Sequence, residues 1–189
     1  MTMPPRIRKL ALATHLSASV GWIGAVAAYL ALDLTVAASQ DPQLVRAAWL
    51  AMGLIVSAVI VPLALASLVT GLVMSLGTKW GLFRHWWVLI SLLLTIVATL
   101  VLLSESGVVS RLAAVAADPT TSDEQLLALP PTLVHSVGGL VVLLLVQVLN
   151  VYKPQGLTPY GWRKQQEERK RQAGGTAAVR SVALPRQPR

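Results

Sequence analysis

The chain contains no cysteine. Disulfides, iron–sulfur clusters, thiolate metal sites and thiol nucleophiles are excluded together. Charge is scarce as well. Only 13% of residues are Asp, Glu, Lys or Arg, where a soluble domain carries about 25%. There is no glycine-rich phosphate loop, no Ser–His–Asp arrangement and no His-Glu-x-x-His pattern. No catalytic residue is assigned on these grounds. No internal repeat is evident.

What fills the space is apolar sequence. Hydrophobic residues make up 54% of the 189, and the mean hydropathy is +0.63. Residues 10–32, 47–78, 86–104 and 125–152 contain no Asp, Glu, Lys or Arg. A bilayer core about 30 Å thick needs roughly 20 helical residues. In hydrocarbon the backbone must satisfy its own hydrogen bonds, so each run is expected to be a helix. The predicted spans are 10–37, 47–76, 85–104 and 132–152, forming an all-α, four-helix transmembrane bundle. Residues 1–9 and 153–189 flank it as basic segments, too short and polar to bury a core. No A-x-A-like cleavage site follows a short apolar region, so the first helix is expected to be retained.

The charges are sorted by end. Arg6, Arg8, Lys9, Lys79, Arg84, Lys153 and the tail from Arg163 to Arg171 fall on one side of the predicted bundle. Asp33, Asp41, Glu105, Asp118, Asp123 and Glu124 fall on the other, with Arg46 and Arg111. Lys and Arg stay cytoplasmic, so both termini are expected inside a bacterial plasma membrane. The basic tail then meets anionic lipid. No nucleic-acid partner is expected, because no reader motif accompanies the charge.

Local signals refine the helices. Small residues crowd the first span, and Gly21, Gly24 and Ala28 share a face suited to close helix packing. Gly53, Ser57, Ser67 and Gly71 do the same in the second. Pro62 removes a backbone donor there, predicting a kink. Lys79, Trp80, Arg84, Trp86 and Trp87 form a headgroup-level anchor. Val108, Val109, Leu112 and Val115 recur at helical spacing beyond the third span, as a continued or interfacial helix. Thr121-Ser122-Asp123-Glu124-Gln125 carries capping-box patterns for a short helix. Residues 163–172 form a short charged helix, and the composition beyond 172 predicts disorder.

Polar groups inside spans are the functional candidates. His15 lies about 7–8 Å inside the inner boundary, His85 at the inner edge, and His135 near the outer one. Met52 shares the depth of His135, and Met74 lies nearer His15 and His85. Met and His together suit copper(I) or haem iron. Depth separates His15 from His135 by roughly 15 Å, too far for one iron. That leaves His15 with His85 as an inner pair and His135 as a separate outer site. Ordinary roles stand beside these: a histidine bonded to a neighbouring helix through Ser19, an interfacial His85, and methionines as gap-fillers. Gln147 and Asn150 read as interhelical hydrogen-bonding groups. Asp33 is expected to pair with Arg46. No carboxylate is expected deep in a span, which disfavours an ion-driven transporter.

The segment His15-Leu16-Ser17-Ala18-Ser19-Val20-Gly21-Trp22-Ile23-Gly24, after a basic start, resembles the first helix of the copper-resistance D superfamily and of four-span membrane protoporphyrinogen oxidases. More broadly the chain resembles an uncharacterised bacterial four-span integral membrane protein family. That likeness rests on Pro62-Leu63-Ala64-Leu65-Ala66-Ser67, Leu76-Gly77-Thr78-Lys79-Trp80-Gly81-Leu82-Phe83-Arg84-His85 and Val151-Tyr152-Lys153-Pro154-Gln155-Gly156-Leu157-Thr158. The first-helix resemblance implies a haem- or metal-associated His15. The leading expectation is a membrane protein binding haem b or copper in redox or cofactor handling. A non-catalytic accessory subunit, with a membrane-complex partner or a second copy of itself, is the alternative, and a small transporter the third.

Overall fold

The four uncharged runs form the four long helices that their composition predicts. A computed structural model describes residues 3–77 and 81–183, with side chains through residue 174. Its helices are α1 (Pro5–Ala38), α2 (Pro42–Ile55), α3 (Val61–Gly77), α4 (Trp86–Ala117), α5 (Asp123–Leu127), α6 (Leu133–Tyr152) and α7 (Pro159–Ala183). A π-helical turn, Val56–Ile60, joins α2 to α3 into one span. No strand forms among the described residues. Thr78, Lys79 and Trp80 of the predicted anchor, and the tail beyond 183, lie outside them.

The helices alternate in direction. The end of α1 meets the start of α6 through Thr132, and the start of α2 meets the end of α4 through Arg46. α1 packs on α2, α3 and α6, and α4 packs on the same three. The result is a ring of four spans with an acidic end and a basic end.

Span length divides the two ends. The spans hold 34, 36, 32 and 20 residues, or about 51, 54, 48 and 30 Å. Only α6 matches the hydrocarbon. The third span is predicted over 85–104 with a continued or interfacial helix beyond it, and the continued form is what is found: α4 runs on to Ala117. Hydropathy falls after Ser104, but nothing there breaks a helix until Pro119. The projecting turns and α5 both pack on α2, and Val45, Val109, Ala116 and Leu126 are buried there. Ser122 and Gln125 make the predicted capping box that starts α5. Large apolar side chains elsewhere face outward, Leu93, Leu100 and Val134 among them. Exposure on that scale needs hydrocarbon around it.

Arg46 does not pair with Asp33. Its guanidinium donates to the carbonyls of Ala116, Asp118 and Thr121, closing the C-terminal end of α4. Those carbonyls have no partner within the helix, and a planar five-donor group satisfies several at once. Asp118 beside them is held below the ordinary carboxylate value by hydrogen bonds from Thr120.

Pro62 acts one turn earlier than a simple kink. Lacking an N–H, it cannot bond the Ala58 carbonyl. The ladder shifts register before it, and Val61 N–H bonds Val56. The small residues split between packing and surface. A Cβ at Gly53 would meet Ala113 at 2.7 Å, and one at Gly21 would meet Leu63 at 3.2 Å. Gly24, Ala28 and Ser57 are exposed instead.

At the basic end, residues after α6 dock α7 onto the start of α4. Thr158 N–H donates to the Arg84 carbonyl, Trp86 N–H donates to Gly156, and Thr158 Oγ1 donates to Phe83. Gly161 lies so close to the Arg84 carbonyl that a Cβ would overlap it. Arg84 then grips Glu168 with two bonds of 2.9 and 3.3 Å. α7 continues to Ala183, beyond the predicted 163–172 helix.

The Arg84 hydrogen bonds hold the Glu168 carboxyl below its ordinary value of 4.5. A lowered folded value means that the pair is intact at neutral pH and is lost as pH falls below that value. Glu168→Gln at neutral pH is expected to speed tryptic cleavage after Arg163 and Lys164. Acidification below that lowered value should raise amide exchange in α7 above its intrinsic change. Unchanged cleavage in the variant would show that Thr158 and Gly161 hold the helix alone.

Candidate functional site

The polar groups of the bundle collect in two places, one in each half. At the acidic end, Asp33 of α1 is fully buried. Its Oδ1 accepts from the Thr132 N–H at 2.8 Å. Its Oδ2 accepts from Thr132 Oγ1 at 3.2 Å and Ser136 Oγ at 2.7 Å. Thr132 is the N-cap of α6 and makes no side-chain cap of its own. A carboxyl group from another helix caps α6 in its place, where open N–H groups and the dipole favour negative charge. Tyr29, one turn before Asp33, places its hydroxyl 2.7 Å from Thr132 Oγ1. Thr132 gives its own hydrogen to Asp33, so the tyrosine is the donor. The hydrogens run from Tyr29 through Thr132 to Asp33.

Beside this relay, Glu105 of α4 lies 3.4 Å from His135 Nε2. Glu105 is 19 residues past Trp86, about 29 Å along α4, and His135 is the third residue of α6. Counted from opposite ends, both fall near one hydrocarbon boundary. No carboxylate was expected deep in a span, and Asp33 and Glu105 both lie toward the acidic end of the bundle. Asp33 is wholly enclosed, and Glu105 belongs to a helix that continues past it.

Both groups roof a cavity of about 250 Å³. All four spans line it. Its floor and walls are Trp22, Val26, Val56, Ile60, Ala98 and Leu143, and its polar roof is Tyr29, Glu105, Ser106, Thr132, His135 and Ser136. The exposed lining residues, Val97, Val101, Val134, His135 and Gly138, belong to α4 and α6. The cavity opens sideways between those helices. A Cβ on Gly138 or Gly139 would meet nothing within 4 Å, so the two glycines keep that gap clear.

The second cluster lies toward the basic end. His15 Nδ1 sits 3.1 Å from Thr70 Oγ1, and Ser19 Oγ sits 2.8 Å from Ser67 Oγ. These rungs tie α1 to α3. His15 takes Thr70 as partner instead of the expected Ser19, which is drawn to Ser67. Gly71 makes room for the ring, since a Cβ there would lie 3.1 Å from His15 Cε1. His15, Ser19, Ser67, Thr95, Gln147 and Asn150 surround about 30 Å³. That is space for a water or two.

The predicted ligands are not brought together. His135 lines the larger cavity, His15 the smaller, and His85 neither. His85 is the N-cap of α4, with its backbone bridged to Leu157. Met52 is fully buried in the apolar core, Met74 is half-buried one turn past Gly71, and neither lines a cavity. No group of three His, Asp or Glu suited to a metal occurs among the described residues. The space beside His15 is far below the 300–1,000 Å³ typical of cofactor pockets, and His135 Nε2 faces Glu105 instead of a second axial ligand. This donor set does not fit haem b or copper. Compared with known proteins, the chain matches no family model, no curated protein and no solved structure.

Sequence reasoning missed Tyr29, Thr132 and Ser136 and misassigned Asp33. One signal was present. Asp33 follows Tyr29 by four residues on one helical face, and Thr132 and Ser136 repeat that spacing in α6. Ser136→Ala removes a donor from an enclosed carboxyl and is expected to cost about 1–3 kcal/mol. Ser57→Ala, on an exposed face, should cost almost nothing. Thermal unfolding in detergent measures both, and equal midpoints would refute the network's structural role.

Proposed function

We propose that this chain is a multi-pass membrane protein that binds an amphiphile taken from the bilayer. The observation that carries this reading is the cavity of about 250 Å³, apolar below, polar at one end and open between α4 and α6. A void lined by carbon and connected to hydrocarbon forfeits dispersion contacts unless chains fill it. The roof meets a head group at the depth where lipid polarity begins. Apolar walls with a few convergent polar groups are the usual form of a small-molecule site.

Orientation follows from charge. The basic end faces the cytoplasm of a bacterial cell and the roof lies in the outer leaflet. α7, with Arg163, Lys164, Arg169, Lys170 and Arg171, rests at the inner surface with anionic lipid as its partner. Reporters fused after residue 81 and after residue 120 should report inside and outside respectively, and the reverse would invert the assignment.

Gly139→Leu tests the binding reading. The new side chain enters open space, so the fold is expected to survive while the cavity fills. Protein purified in nanodiscs and extracted with solvent should yield a stoichiometric lipophilic compound from the native chain and much less from the variant. Identical extracts, no richer than the surrounding lipid, would refute the reading.

A further inference from the structure

The hydrogen-bond directions at the roof define the chemistry of the head group, given that the cavity is a ligand site. Asp33 receives three donors on two oxygens. That is an arrangement for a group that only accepts. Thr132 and Ser136 spend their hydrogens on it, and Tyr29 spends its own on Thr132. Ser106 Oγ donates back to the Leu103 carbonyl. With Glu105 ionised, His135 Nε2 carries the hydrogen that faces it. What these hydroxyls and the carboxylate turn toward the cavity is therefore lone pairs. One carboxyl group, Glu105, lines the space with one imidazole, His135, and no Lys or Arg lines it; Asp33 lies enclosed behind Thr132 and Ser136.

We infer that the head group taken at this roof is a protonated lipophilic amine. An ammonium offers three donors and no acceptor, which complements lone pairs on Glu105, Tyr29 and Ser106. Its charge opposes that of Glu105 and of Asp33 behind Thr132. Tyr29 also brings an aromatic ring to the roof, and such a ring favours a nearby cation. A fatty carboxylate or a lipid phosphate meets like charge and finds too few donors. An alcohol can donate only once.

The test uses the full chain in phosphatidylcholine nanodiscs with three probes of equal chain length: dodecylamine, dodecanol and dodecanoic acid. Binding is read by tryptophan fluorescence, with Gly139→Leu as the filled-cavity reference. Dodecylamine is expected to bind about tenfold more tightly than dodecanol, and dodecanoic acid not to compete. Glu105→Gln should remove most of the amine preference and leave dodecanol unchanged, and Tyr29→Phe should reduce that preference in part. Equal binding of acid and amine, or equal weakening of amine and alcohol by Glu105→Gln, would overturn the amine assignment while leaving the cavity as a site. If no probe binds and Gly139→Leu changes no signal, the binding reading falls with it.

Discussion

The contact of Asp33 with the first turn of α6 holds the acidic half of the bundle in place. A carboxyl group enclosed at a membrane boundary is costly unless its lone pairs are met. Here they are met by one backbone N–H and two hydroxyls, all from α6. Helices in lipid gain nothing from hiding apolar surface from each other, so bonds of this kind set their register. The contact fixes the height of α6 against α1. It thereby places His135 at the level of Glu105 and brings Tyr29 to the roof of the cavity. It also draws the hydroxyl hydrogens of Thr132 and Ser136 onto Asp33 and away from the cavity.

The two halves of the molecule are built differently. The apolar core, centred on Trp49, Met52, Val56, Ile60 and Ala64, lies toward the acidic end. There α1, α2 and α4 outrun α6, and α5 and Arg46 close the top. The basic half is held instead by hydroxyl and imidazole rungs between α1 and α3, and by the docking of α7 on α4. Gly53 and Gly21 let backbones approach at the helix pairs that carry the core. The proposed ligand site lies in the half that carries the apolar core, whose walls hold their shape as selective binding needs.

The spans were legible because hydrocarbon imposes a length and forbids charge, and both leave plain marks in sequence. α6 agrees with its predicted 132–152 almost to the residue, and the Ser122–Gln125 box and the shift before Pro62 follow from local chemistry. Pairing across the bundle was not legible. Arg46 is the nearest base at the end that holds Asp33, yet the open carbonyls of α4 claim it. Glu105 fell just outside the predicted span because hydropathy drops at Ser104, and of the continued and interfacial helices open beyond it the continued one forms, to Ala117. The histidines drew attention as metal ligands through their residue type. Their partners, Thr70 and Glu105, come from helices 55 and 30 positions away, a separation that no spacing rule covers.

Trp22 and Leu143 line both cavities. They are nearly enclosed, at 3% and 5% exposure, and form an apolar septum between the roofed cavity and the polar pocket around His15. Without it, hydroxyls, amides and imidazoles would follow one another through most of the bundle, from Tyr29 to Asn150. A continuous wet column of that kind would carry protons and ions along the field across the membrane. The septum keeps the polar groups in two compartments. In the proposed function it lets the acidic half offer lone pairs to a ligand from the lipid, while the basic half uses its hydroxyls to hold α1 against α3. The same indole that seals the column floors the ligand cavity, so a change at Trp22 would alter separation and binding together.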